Sequence, residues 1–324
     1  MARFAKYAWG VLAANLAVVL WGAYVRASGS GAGCGSHWPL CTGEIVPHSP
    51  TLATLIELTH RMTSGAALLL VVGLFVWSRR AAPARPGVRL GATFSLVFML
   101  GEALIGAGLV LFKLVAHNDS LARAFYLGAH LLNTFLLLGS LALTAWWASG
   151  GAPLRPRTQS GRPWLLGIGL VGTLLVGMTG AITALGDTLF PPGSLLEGLR
   201  QDTSATAHVL VRLRVLHPAL AVGTGFYLLG LAAILPGRGG NPTIGGLARG
   251  LGALVVIQWL AGLANIALLA PMWLQLAHLL LADLVWIFLV LLGAAVLAEP
   301  ASARTTVTGT PLTDRAAPRS AVTR

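Results

Sequence analysis

The sequence predicts an all-α integral membrane protein, with eight transmembrane helices arranged as two pseudo-symmetric four-helix bundles. Three observations predict it. The composition is 56% hydrophobic and 10% charged, with a mean hydropathy of +0.77, far from that of a soluble domain. Eight apolar stretches are each long enough to cross a hydrocarbon core of about 30 Å. Four histidines, His60, His130, His217 and His278, recur near the leading ends of the second, fourth, sixth and eighth stretches.

The stretches lie at 8–26, 52–77, 89–112, 124–147, 163–185, 210–235, 247–270 and 272–297. Their apolar runs are continuous and lack period-2 alternation, which favours helices over a barrel. The first follows Arg3 and Lys6 as a signal peptide does, but its roughly 18 residues exceed a signal h-region, so it is assigned as a helix. The Pro/Gly/Arg-rich linker GGAPLRPRTQSGRP at 150–163 divides an N-terminal bundle, 1–149, from a C-terminal bundle, 164–298. The segment 299–324, rich in Thr, Ala, Pro and Arg, is expected to be a disordered cytoplasmic tail.

The halves read as a repeat. His60 aligns with His217 and His130 with His278, and each half carries a long outer loop after its first helix, at 27–51 and 186–209. If the chain threads alternately, all four histidines enter from one side. A rise of ~1.5 Å per residue puts them roughly 10 Å deep. Ionisable side chains inside a bilayer are costly and usually functional. A neutral imidazole with no carboxylate beside it is a good axial ligand for haem iron, so two pairs at one depth predict two haem sites.

The net charge of +12 reflects topology rather than nucleic-acid binding. With the N-terminus inside, 15 of the 22 Lys and Arg residues lie on the inner side. This is the positive-inside pattern of a multi-pass cell-membrane protein with both termini cytoplasmic. The two cysteines, Cys34 and Cys41, fall in the first outer loop, an oxidising setting in which they can close a disulfide. A structural staple and a redox-active pair both remain open.

The halves also differ. Glu57 lies three residues before His60, and Arg214 three before His217, each on its histidine's face one turn nearer the outer surface. Arg214, with Arg212, reads as a clamp on haem propionates. Glu57 suits proton transfer or stabilisation of a cation, although pairing with Arg61 at i,i+4 is the structural alternative. Glu102 and Asp283, near mid-helix, are read as packed residues or as parts of a proton path, and neither is assigned a role. His37, His48, His117 and His208 are expected to be solvated.

The run GSGAGCGSHWPLC at 29–41, then GEIVP at 43–47 and ELTHRMTSG at 57–65, resembles the haem A synthase family, bacterial CtaA and mitochondrial Cox15-like, in the form with an outer-loop cysteine pair. The segment QWLAGLANIALLAPMWLQLAHLLLADLVW at 258–286 resembles that family's last two helices. The resemblance implies an enzyme that oxidises the C8 methyl of haem O to a formyl group, yielding haem A for terminal oxidase assembly. It implies a haem b between His217 and His278, substrate haem O between His60 and His130, and a catalytic role for Glu57. It links Cys34 and Cys41 to electron transfer. Expected partners are the lipid bilayer, haem O synthase, an electron acceptor and a further copy of the chain in a homo-oligomer. The alternative is a non-catalytic di-haem b cytochrome, which leaves the Glu57/Arg214 asymmetry without a reason. A transporter built from repeats suits the architecture but not the histidines. Asp187, Glu197, Arg200 and Asp202 of the second outer loop are assigned nothing.

Overall fold

The computed structural model describes residues 2–80, 86–155, 162–236 and 241–299. It is all-helical, and eight of its helical spans are long and apolar enough to cross a membrane. The protein is therefore a multi-pass membrane protein. The spans are α1 (Ala2–Ala27), α2 (Leu52–Arg80), α3 (Pro86–Leu111), α4 (Leu121–Ala148), α5 (Arg162–Leu189), a sixth over Val209–Ile234, α9 (Pro242–Ala267) and α10 (Met272–Ala298). Several helices outrun their apolar cores into polar flanks, because hydropathy marks the hydrocarbon crossing and not the ends of the hydrogen-bond ladder. The expected tail lies outside the described residues from position 300 onward, as do residues 156–161 of the linker.

Two features of the second half depart from the simple reading. The outer loop holds an extra short helix, α6 (Leu195–Thr203), capped by Ser194, whose side chain accepts from Glu197 N–H at 3.2 Å. The Ser-x-x-Glu spacing of a capping box marks this start in the sequence. The sixth span is also not one continuous α-helix: α7 (Val209–Arg212) passes through a 3₁₀ turn at Leu213–Val215 into α8 (Leu216–Ile234). Pro218 has no N–H to give the carbonyl of Arg214 four residues back, so an uninterrupted α-ladder is impossible there.

The first four spans pack in a ring, α1 on α2, α2 on α3, α3 on α4 and α4 on α1; α5, α8, α9 and α10 close a second ring in the same way. The two rings meet through α4, α5, α10 and α1. α4 and α10 are the most enclosed helices. Phe135 of α4 stacks on Trp286 of α10 at 5.4 Å, and the indole N–H donates to the Phe135 carbonyl. Leu69, Leu104, Phe226 and Leu263 face outward, as a lipid-facing surface requires. α1 belongs to this core through buried Ala8, Val11 and Leu12.

Arg26, in the last turn of α1, ties this helix to the second set. Its guanidinium donates to the Ala184 carbonyl at 2.7 Å, Thr188 Oγ1 at 2.9 Å and Gln275 Oε1 at 3.1 Å. At about 0.6 kcal/mol per membrane hydrogen bond, Arg26→Ala is expected to cost roughly 2 kcal/mol. Thermal unfolding in detergent, followed by tryptophan fluorescence, should show a lower midpoint; an unchanged midpoint would contradict the role.

Candidate functional site

Helix order decides where the histidines meet. Within each ring the second and fourth spans are diagonal to one another, and these carry the imidazoles. His217 on α8 and His278 on α10 face each other with ring centroids 6.3 Å apart and planes at 86°. Two metal–nitrogen bonds of about 2 Å each, added to the half-rings between nitrogen and centroid, span a gap of this size. His217 Nδ1 lies 3.1 Å from the Val176 carbonyl. That contact makes Nδ1 the protonated nitrogen and leaves the Nε2 lone pair free. Among the described residues, no three His, Cys, Asp or Glu side chains are grouped to hold a bare metal ion.

In the first ring, His60 on α2 and His130 on α4 lie within electrostatic range of each other, with Glu102 and Arg61 nearby. His60 Nδ1 is buried without a hydrogen-bond partner, a costly state that a ligand would relieve. His130 corrects the expectation of imidazoles free of carboxylates: Glu102 Oε2 of α3 stands 2.7 Å from its Nδ1. Asn133 Nδ2 and Thr134 Oγ1 both donate to the other oxygen of Glu102, at 2.7 and 3.1 Å. Single-sequence reasoning missed this because helix rotation, not spacing along the chain, brings α3 to α4.

Each histidine packs against a glycine on the preceding span. A Cβ on Gly22 would stand 2.9 Å from His60 Cε1, and one on Gly180 2.9 Å from His217 Cε1. At Gly262 the distance to His278 Cε1 is 3.3 Å, and at Gly106 it is 4.0 Å to His130 Nε2. Gly22 and Gly180 stand 158 residues apart and Gly106 and Gly262 156, against 157 and 148 for the histidine pairs, so the repeat in the sequence also marks these glycines.

Glu57 is buried beneath the first outer loop. Its Oε2 accepts from Cys34 N–H at 2.8 Å, and its Oε1 accepts from the Arg61 guanidinium. Arg61 Nη1 donates in turn to the carbonyls of His37, at 2.6 Å, and Leu40, at 2.7 Å. The pairing weighed as a structural alternative is thus present, and it is part of a latch between α2 and the loop. Cys34 and Cys41 form a disulfide, S–S 1.98 Å, and both residues are buried.

Arg214 is also enclosed. It donates from Nη2 to the Gly186 and Phe190 carbonyls, both at 2.7 Å, and pairs with Asp187 at 3.1 Å and Asp202 at 3.6 Å. Asp187 and Asp202, two of the three second-loop carboxylates left without assignment, therefore converge on this guanidinium. Of the loop histidines expected to be solvated, His48 is exposed beside Glu44. His208 instead caps α7 and stacks on Phe190 at 4.8 Å.

Gly33 sets how closely the cysteine loop lies on α2, since a Cβ there would fall 2.4 Å from Ala53 backbone and 2.6 Å from Thr54 N. Such overpacking costs about 1–3 kcal/mol. Gly33→Ala should therefore lift the loop and speed thiol labelling under mild reductant by roughly tenfold or more. An unchanged rate would show that this contact does not shield the disulfide.

The comparisons bear on this geometry. The family model COX15-CtaA, cytochrome oxidase assembly protein, matches residues 5–290. A Thermus thermophilus protein named protoheme IX farnesyltransferase is 52% identical over 295 residues, 91% of this chain and 48% of that protein. Heme A synthase of Exiguobacterium sibiricum is 34% identical over 164 residues, 51% of this chain and 53% of the relative. Heme A synthase of Bacillus mycoides is 43% identical over 111 residues, covering 34% and 36%. The chain thus spans about half the length, or less, of these curated relatives.

Proposed function

The chain belongs to the COX15-CtaA family of cytochrome oxidase assembly proteins, the haem A synthases, and from that premise we propose that it oxidises the C8 methyl of haem O to the formyl group of haem A. The observation that carries the reading is the facing of His217 and His278 at a spacing that fits bis-imidazole ligation; His60 and His130, on the equivalent helices of the first ring, lie within electrostatic range of each other. Haem b bound by His217 and His278 supplies one-electron redox capacity. Substrate haem O is taken between His60 and His130.

The conversion adds one water oxygen and removes four electrons and four protons: CH₃ + H₂O gives CHO + 4H⁺ + 4e⁻. It proceeds in two two-electron stages through a hydroxymethyl group and a hydrated aldehyde, with an external acceptor taking the electrons. Loss of hydride equivalents builds positive charge beside the ring. The Glu57 carboxylate, one turn from His60 and oriented by Arg61 and Cys34 N–H, stabilises that charge or takes a proton from the attacking water. Arg214 holds haem propionates on the outer side, where Nη1, 3.6 Å from Asp202, is its most loosely held donor. The positive-inside pattern supports a cell-membrane location with both termini cytoplasmic.

Farnesyl transfer is the other reading that a relative's name raises. The name describes a protein of which about half lies outside the match, and we assign farnesyl transfer to that outside half. A prenyl diphosphate calls for Mg²⁺ on free carboxylates, whereas Glu57, Glu102, Asp187 and Asp202 here are held by Arg61, His130 and Arg214. The likeness to a protein named protoheme IX farnesyltransferase supports a place for this protein beside haem O synthase, which would pass on a poorly soluble substrate.

The test is chromatography of haems extracted from the purified protein, made in a host that supplies haem O but no haem A. Formyl or hydroxymethyl haem is expected. Haem B alone, with haem O present in the membranes, would favour the electron-carrying cytochrome. Glu57→Gln should keep bound haem and lower haem A output by about 10²–10⁴-fold; normal output would remove its role. His217→Ala and His278→Ala should each lose the haem b absorbance, and an unchanged spectrum in the double variant would refute the assignment.

A further inference from the structure

Glu102 and Gln258 occupy equivalent places in the repeat, and their chemistry differs. Each lies four residues before a glycine that cradles an imidazole, Gly106 on α3 and Gly262 on α9. Residues four apart share a helix face, so each side chain reaches the histidine that its own glycine accommodates. Glu102 Oε2 meets His130 Nδ1 at 2.7 Å; Gln258 Nε2 meets His278 Nε2 at 3.3 Å. The carboxylate stands at the Nδ1 side of its imidazole, whereas the neutral amide stands at Nε2 of His278, so only the first half sets a charged group against the outer nitrogen of its histidine.

The carboxylate comes with a support that the second half lacks. Asn133 and Thr134, three and four residues beyond His130, hold Glu102 Oε1, and Asn133 is itself anchored to the Phe98 carbonyl at 2.8 Å. With one oxygen fixed by two donors, the other stands 2.7 Å from the imidazole Nδ1. The residues three and four beyond His278 are Leu281 and Ala282, which offer no side-chain hydrogen bond. A chance polar contact between two membrane helices needs no such supporting pair.

We propose that Glu102 is a positioning residue that makes His130 a stronger electron donor than His278, so that iron held at the first pair has a lower reduction potential than iron held at the second. This rests on the haem-binding reading above. An imidazole that gives its N–H to a carboxylate carries more electron density on its far nitrogen. That density stabilises the ferric state of an axially bound iron, since axial ligand strength and outer hydrogen bonds set haem potentials. An amide places no charge on the ligand. An electron shared between the two sites rests at the second pair, away from the substrate.

The experiment is a spectroelectrochemical titration of the purified full chain loaded with haem B, with signals assigned by His60→Ala and His278→Ala. The first-pair midpoint is expected below the second. Glu102→Gln should raise the first-pair midpoint while leaving the second in place, and should weaken haem affinity there by roughly 10–100-fold; Glu102→Asp should restore part of the shift. Bound haem at the first pair with a midpoint unmoved by Glu102→Gln overturns the inference and leaves the haem-binding reading intact. If Glu102→Gln does not fold, Glu102→Asp decides by itself: a raised first-pair midpoint supports the inference, and an unmoved one overturns it. Haem B that fills the second pair alone, with no first-pair midpoint below it, also overturns it. A wild-type chain that binds no haem overturns the underlying reading, and the inference falls with it.

Discussion

The close approach of an imidazole on one helix to a glycine on the preceding span governs both sites. Lipid offers no hydrophobic reward for bringing helices together, so packing and a few polar contacts must do it. An alanine at Gly22 or Gly180 would place a methyl against the ring of His60 or His217. That would push the ligand off its line to the diagonal helix. The small residue does more than let two backbones approach, because it sets where the imidazole points.

On this shared plan the halves diverge in their charged neighbours. The first ring places carboxylates around its histidines, Glu57 under the cysteine loop and Glu102 on His130. The second places Arg214 above His217, with two aspartates and two carbonyls around it, and an amide beside His278. Outer loops carry part of each arrangement. Arg61 draws the disulfide loop down onto Glu57, while Asp187 and Asp202 close over Arg214. The two halves share the glycine-and-imidazole plan and differ in the charge set around it, which on the proposed function separates a reactive site from a holding one.

Much of this was legible in the chain. Continuous hydropathy marked all eight spans, and the recurrence of His60 and His130 as His217 and His278 picked out the ligand candidates that a lone membrane histidine would not. The i,i+4 spacing of Glu57 and Arg61 offered their pairing as the alternative to a chemical role, and that pairing is present. Contacts that depend on helix rotation were not legible: nothing local to Glu102 says that it faces α4, and nothing local to Gln258 says that it faces α10. Pro218 interrupts the sixth span through a missing N–H that a hydropathy window does not register. The short helix α6 escaped for a similar reason, since its signal is a cap and not an apolar run.

The central claim is that the protein holds iron between paired imidazoles, and low-temperature electron paramagnetic resonance of the oxidised chain tests it most directly. The 86° angle between His217 and His278 predicts a strongly anisotropic low-spin signal, as perpendicular imidazole planes give, lost in His217→Ala and in His278→Ala. A high-spin signal indifferent to both substitutions would contradict the account.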